Sequence, residues 1–170
     1  MIDITKGTHK VFFPSKLFAV ENGHIFNITL AANHDNGEIV VRDTSSWNSF
    51  DNYDENEDGV ITMTGVIRGQ GANGGYYVEV LTAEAAQDST SGTATYANDL
   101  VLVYNSPVSE YSERELQDEA LFYNAAGEVA QGFTLQRGDI FEISSDAFTG
   151  TIADDALVEY DAATKKYVIQ

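Results

Sequence analysis

No cysteine occurs among the 170 residues, so disulfide staples, thiolate zinc sites and cysteine nucleophiles are excluded. Basic residues are scarce: nine lysines and arginines face 27 acids, for a net charge of −18. Such a field repels phosphates and anionic lipid, which disfavours nucleic-acid and membrane-surface binding. No stretch approaches the ~20 apolar residues of a membrane-spanning helix. The opening MIDITKGTHKVFF also lacks the apolar run of a signal peptide, so a soluble product of the cytoplasm is expected.

Catalytic signatures are equally thin. His9, His24 and His34 have neither HxH nor HExxH spacing and read as surface or strand residues rather than metal ligands. There is no GxSxG elbow. The glycine-dense GQGANGG lacks the Lys-Ser/Thr of a phosphate loop. Neighbouring acids such as Asp154 and Asp155 are expected by chance in so acidic a chain. The expectation is a protein that is not an enzyme and needs no cofactor and no metal.

What is present is a folded composition. Hydrophobic residues make up 43 %, with nine tyrosines and nine phenylalanines, so the acidity belongs to the surface of a domain and not to a disordered tail. The length suits one domain with its own core. Alternating apolar and polar residues, punctuated by Gly, Asn and Asp, predict mostly strand. Residues 24–30 (HIFNITL) and 38–42 (EIVVR) flank Asn36-Gly37, the signal of a type I′ hairpin. Residues 60–68 and 76–81 flank GQGANGG, and 100–105 (LVLVYN) form a continuous apolar run suited to a buried strand. Strands are also expected at 129–135 and 139–144, with a closing hairpin from 156–160 and 166–169.

Two regions break the rhythm. Residues 83–98 are small and polar, the composition of a flexible insertion. In residues 112–123 (SERELQDEALFY), Ser112 and Glu115 form a capping box, while Leu116, Ala120 and Tyr123 repeat at helical spacing. The expected fold is therefore mainly β: an antiparallel barrel or sandwich with one short helix near 112–123 and long polar loops. Residues 1–20 would be a docking segment or first strand, and 18–170 a single β-rich domain. A weak repeat aligns FAVENGHIFNI (18–28) with FTLQRGDIFEI (133–143). It suggests either a common strand-turn-strand pattern or two related barrel corners with Gly23 and Gly138 at positive φ.

The stretch DENEDGVIT imitates a calcium loop: Asp54, Asn56, Asp58, Gly59 and Val60 suit the first seven positions, but the twelfth is Gly65. Without the bidentate carboxylate, and with no helical periodicity on either side, an acidic turn entering a strand accounts for the same letters. Trp47, Phe50 and Tyr53 form an aromatic stretch, and Tyr76-Tyr77 open a strand. Such rings pin a loop to the domain or, exposed, stack on sugars.

Two segments, GTHKVFFPSKLFAVENGHIFN (7–27) and LVYNSPVSEYSERELQDEALFYNAAGEVAQGFTLQRGDIFEISSDAFTGT (102–151), resemble auxiliary or decoration head proteins of tailed bacteriophages, encoded beside the major capsid protein. The acidic stretches 33–62 and 83–98 lie outside this resemblance. It implies a structural virion protein, made in the bacterial cytoplasm and seated on the capsid exterior. Its partners would be the major capsid protein and copies of itself. Alternatives are a head-fibre or tail component, or a carbohydrate-binding module using Trp47, Tyr53 and Tyr76. The first 20 residues carry Lys6, Lys10 and Lys16 against the single acid Asp3, a local charge of +2. With Phe12 and Phe13, these lysines are the expected capsid-docking residues.

Overall fold

The computed structural model describes residues 10–18, 25–48, 51–72, 74–87, 99–106 and 122–170, without the side chains of 14–16 and 87. Among these residues twelve strands follow in chain order: β1 (Phe12–Phe18), β2 (Ile25–Thr29), β3 (Ile39–Asp43), β4 (Tyr53–Glu55), β5 (Gly59–Gln70), β6 (Tyr76–Gln87), β7 (Asp99–Tyr104), β8 (Val129–Thr134), β9 (Ile140–Ile143), β10 (Phe148–Thr149), β11 (Leu157–Asp161) and β12 (Lys166–Ile169). The one helical element among the described residues is a 3₁₀ turn at Ser145–Ala147. Five strands close a barrel in the order β2-β4-β3-β7-β8, and the other seven form a sheet in the order β1-β9-β6-β5-β11-β12-β10.

Two cores result. Ile28, Leu30, Val40, Val101, Val103 and Ala130 fill the barrel. A larger cluster, with Ile39, Val41, Leu100 and Leu102 on the barrel side and Met63, Ile67, Val78 and Phe141 on the sheet side, lies between barrel and sheet. The apolar run of β7 is thereby explained. Successive strand residues point to opposite faces, so Val101 and Val103 enter the barrel while Leu100 and Leu102 enter the seam. Strand β3 divides its residues the same way. Gly132 keeps the barrel narrow, because a Cβ there would stand 2.6 Å from Cγ1 of Val101 and 2.8 Å from Cε2 of Phe26.

The expected mainly-β barrel architecture is found, with three corrections of connectivity. Asn36-Gly37 does form a turn, with the Glu38 amide donating to the Asp35 carbonyl at 3.2 Å, but Gly37 alone takes positive φ (84°). A type I′ turn needs it at both central residues. Strands β2 and β3 do not pair either; β4 inserts between them, parallel to β2 and antiparallel to β3. The insertion predicted at 83–98 does not include its first residues. Residues 83–86 continue β6 and pair with 60–63, and residues 88–98 lie outside the described residues. The helix expected at 112–123 also falls outside them up to residue 121, while Phe122 and Tyr123 are buried and not helical.

The third correction concerns the repeat. Its copies are not two corners of one barrel; each passes between the sheet and the barrel, in opposite directions. Phe18 pairs with Ile140, and Ile25 pairs with Phe133. The first position of each copy therefore meets the eighth of the other, the pattern of a local two-fold. Gly138 takes φ 93° as expected; Gly23 lies outside the described residues. The hairpins β5–β6 and β11–β12 form as read from the sequence.

Candidate functional site

Where the barrel meets the sheet, the seam holds an ionic cluster. Loop 30–38 leaves β2 and is fixed by backbone bonds: the His34 amide donates to the Asn124 carbonyl at 2.9 Å, and the Asn124 amide returns the bond at 2.8 Å. The Asn124 side-chain amide also donates to the His34 carbonyl and to Asn36 Oδ1, both at 3.1 Å. So held, the His34 ring lies between two carboxylates, with Nδ1 2.9 Å from Glu38 Oε2 and Nε2 3.0 Å from Glu55 Oε1. The sheet supplies the cations. Lys10, just ahead of β1, donates to Glu38 Oε1 and stands 3.6 Å from Asp35. Lys165, in the β11–β12 turn at φ 55°, stands 3.7 Å from Glu38 Oε2. Lys10, His34 and Glu38 are all buried.

Burial is the largest influence on the His34 imidazole and pushes its pKa down. The hydrogen bonds to Glu38 and Glu55, with the charge of Glu55, outweigh burial and the opposing Lys165, so the net direction is up. Glu55 shows the converse: burial pushes it up, but bonds from His34 and the amides of Ala31 and Ala32 hold it below the usual carboxylate range. Charged, the ring donates through both nitrogens. A cleft of about 270 Å³, lined by His34, Glu55, Ile61, Tyr160 and Lys165 among others, opens onto the cluster. The sequence reading missed this site. Its only signal was an acid four residues from a histidine across an Asn-Gly turn, and its other members come from distant strands.

The predicted docking residues are dispersed. Phe12 is fully buried in the seam core, its ring edge-on to Phe133 and Phe141, and Lys10 is committed to Glu38. Both side chains face the protein's own interior. Lys6 lies outside the described residues, as does the side chain of Lys16. Phe13, half-buried, is on the opposite face of the sheet from Phe12, in register with Glu142, which also pairs with Tyr77. On the same face Phe18 is 55 % exposed with its ring 6.3 Å from that of Tyr77. Glu142 is fully buried, and neither carboxylate oxygen has a hydrogen-bond partner among the described residues. The glycine-dense loop lies against it: a Cβ on Gly71 would come within 2.1 Å of its Oε1.

At the opposite end of the barrel Trp47, 54 % exposed, packs against Tyr53 with ring centroids 4.9 Å apart. The Arg42 guanidinium lies 4.4 Å from the Phe26 ring and 4.6 Å from the Tyr53 ring and pairs with Asp99. Tyr76 does not join this group. It opens β6 in the sheet, edge-on to Phe148. Phe50 lies outside the described residues.

The calcium-like stretch is a turn between β4 and β5. Asn56 Oδ1 accepts from the Asp58 amide at 3.2 Å and the Asn56 carbonyl from the Gly59 amide at 3.1 Å. Gly65 is well inside β5, paired with Val80 and Val158. Among the described residues no group of three or more His, Asp or Glu side chains is placed to hold a metal ion. No family model matches the chain, and neither a curated protein nor a solved structure matches it at a significant level.

Proposed function

We propose that this chain is a structural virion protein, an auxiliary protein that decorates the outer face of a phage capsid lattice and braces neighbouring capsomers. One observation carries the reading. The two segments that resemble auxiliary head proteins, far apart in sequence, fold as neighbours: β1 pairs with β9, and β2 with β8. Their described strands join across both barrel and sheet, which supports reading the two segments as parts of one unit. A β-domain closed on one side into a barrel and covered in acid suits occupancy of a lattice, since its charge keeps decorated particles apart.

The contact face is the outer surface of β1, β9 and β6, where Phe13, Phe18 and Tyr77 gather. Of the docking set read from sequence this face keeps Phe13, while Lys10 and Phe12 are turned inward. The partners are the major capsid protein and neighbouring copies of this chain, and no chemical step is involved. Co-sedimentation with purified undecorated particles tests the reading. The expected result is a fixed stoichiometry to the capsid protein that Phe18→Asp reduces; failure to bind any particle overturns it. Exposed Trp47 against Tyr53 favours a second reading, a glycan-binding module. Retention on a polysaccharide column, lost in Trp47→Ala, would support that one instead.

A further inference from the structure

We propose that His34 is a proton-dependent latch between the barrel and the seven-stranded sheet: charged, it holds Glu38 and Glu55 on its two ring nitrogens, and on losing a proton it releases one of them and loosens the seam. The geometry carries this. Both ring nitrogens lie within 3.0 Å of a carboxylate oxygen, and only the doubly protonated ring donates to both. Glu38 is the carboxylate that takes the sheet's cations, Lys10 on one oxygen and Lys165 near the other. Lys165 Nζ also stands 3.4 Å from His34 Nδ1, so a ring that has lost its Nδ1 proton accepts from Lys165 and gives up its bond to Glu38. His34 therefore acts on the seam by holding Glu38 in place.

The charge count is consistent. Asp35 and Glu38 from the loop and Glu55 from β4 are matched by Lys10, Lys165 and a charged His34; Tyr160 of β11 faces the same cluster as a neutral phenol. Removing the imidazole proton leaves an excess negative charge around Glu38 and Glu55, whose side chains are only 4 % and 8 % exposed, where unpaired charge is costly. The raised imidazole value sets the sign. The stabilisation is fully present below the ordinary histidine pKa of about 6.5 and is lost as pH rises through the folded-state value. The latch is closed in acid and opens toward alkali.

The test uses the full chain. A His9→Gln, His24→Gln variant keeps His34 as its sole histidine, so its ring NMR signal is assigned without touching the seam. The expected titration midpoint lies above 6.5. Hydrogen exchange across the same pH range, corrected for the intrinsic rate, should show protection at the Ile39 amide, which donates to Tyr160 at 3.1 Å, falling together with ring deprotonation. The Val101 amide inside the barrel should keep its protection. Melting curves of wild type and His34→Gln should differ in their pH dependence between 6 and 9. A midpoint at or below 6.5, or Ile39 protection that is flat with pH, would overturn the proposal, whether or not His34→Gln folds.

Discussion

Tyr167 donates its hydroxyl hydrogen to the carbonyl of Gly37 over 2.9 Å, tying β12 of the sheet to the loop that enters β3. The ring is wholly buried, so the bond has no water to replace it. Tyr160, beside it at a centroid distance of 5.1 Å, receives the Ile39 amide.

Removing the Tyr167 hydroxyl should strand the Gly37 carbonyl. Tyr167→Phe is expected to cost about 1–3 kcal/mol, the range for an unsatisfied buried polar group. Thermal or urea unfolding measures it. A loss below about 0.5 kcal/mol would mean that solvent or another donor reaches the carbonyl.

The same two phenols predict alkaline behaviour. Burial, first, and the nearby negative charge of Glu38 push both hydroxyls well above the ordinary tyrosine range. Their contribution is complete below about pH 10 and is lost as pH rises further, because the unfolded chain ionises first. Ultraviolet titration should show that these two of the nine tyrosines ionise only as the chain unfolds.

Glu38→Leu should be among the most damaging single substitutions, at about 3–5 kcal/mol, because it leaves buried Lys10 with only Asp35, 3.6 Å away, as a counter-charge and takes away the acceptor of His34 Nδ1. Breaking the exposed Arg68–Glu79 pair by Glu79→Ala should cost under about 1 kcal/mol. Equal losses at the two sites would contradict the burial of the cluster.

Gly37 and Gly127 separate backbone strain from crowding. Both take positive φ, but a Cβ on Gly37 would stand 2.6 Å from Ile143 Cδ1, whereas one on Gly127 meets nothing within 4 Å. Gly127→Ala should cost on the order of 1 kcal/mol from conformation, and Gly37→Ala distinctly more. Gly138→Val should also lower the melting temperature.

Calcium should leave the melting temperature unchanged relative to EDTA, since Gly65 is held in β5 and offers no side chain to the 54–59 turn. A native-state ligand at 100 times its dissociation constant would add about 2.7 kcal/mol. An upward shift that Asp54→Ala and Asp58→Ala abolish would refute this.

The sequence by itself determined most of the strands and their faces, though not the short β4 and β10 or the far end of β6. Alternation in IFNIT and the unbroken LVLV of β7 report on each residue's own surroundings, and the acid excess set the character of the surface. Which strands pair was a tertiary decision. Asn36-Gly37 carried the local hairpin signal, yet β4 took the place between β2 and β3, because pairing is settled by the sum of contacts from distant segments. The repeat shows the same limit: Phe26 and Ile28 of IFNI pack into the barrel and Phe141 and Ile143 of IFEI into the seam, with nearly the same letters. The ionic cluster was the least legible feature, since Lys10, His34, Glu55 and Lys165 have no shared spacing. Only burial at the closure of barrel on sheet turns four ordinary surface residue types into one coupled group, by taking away the water that would otherwise keep them independent.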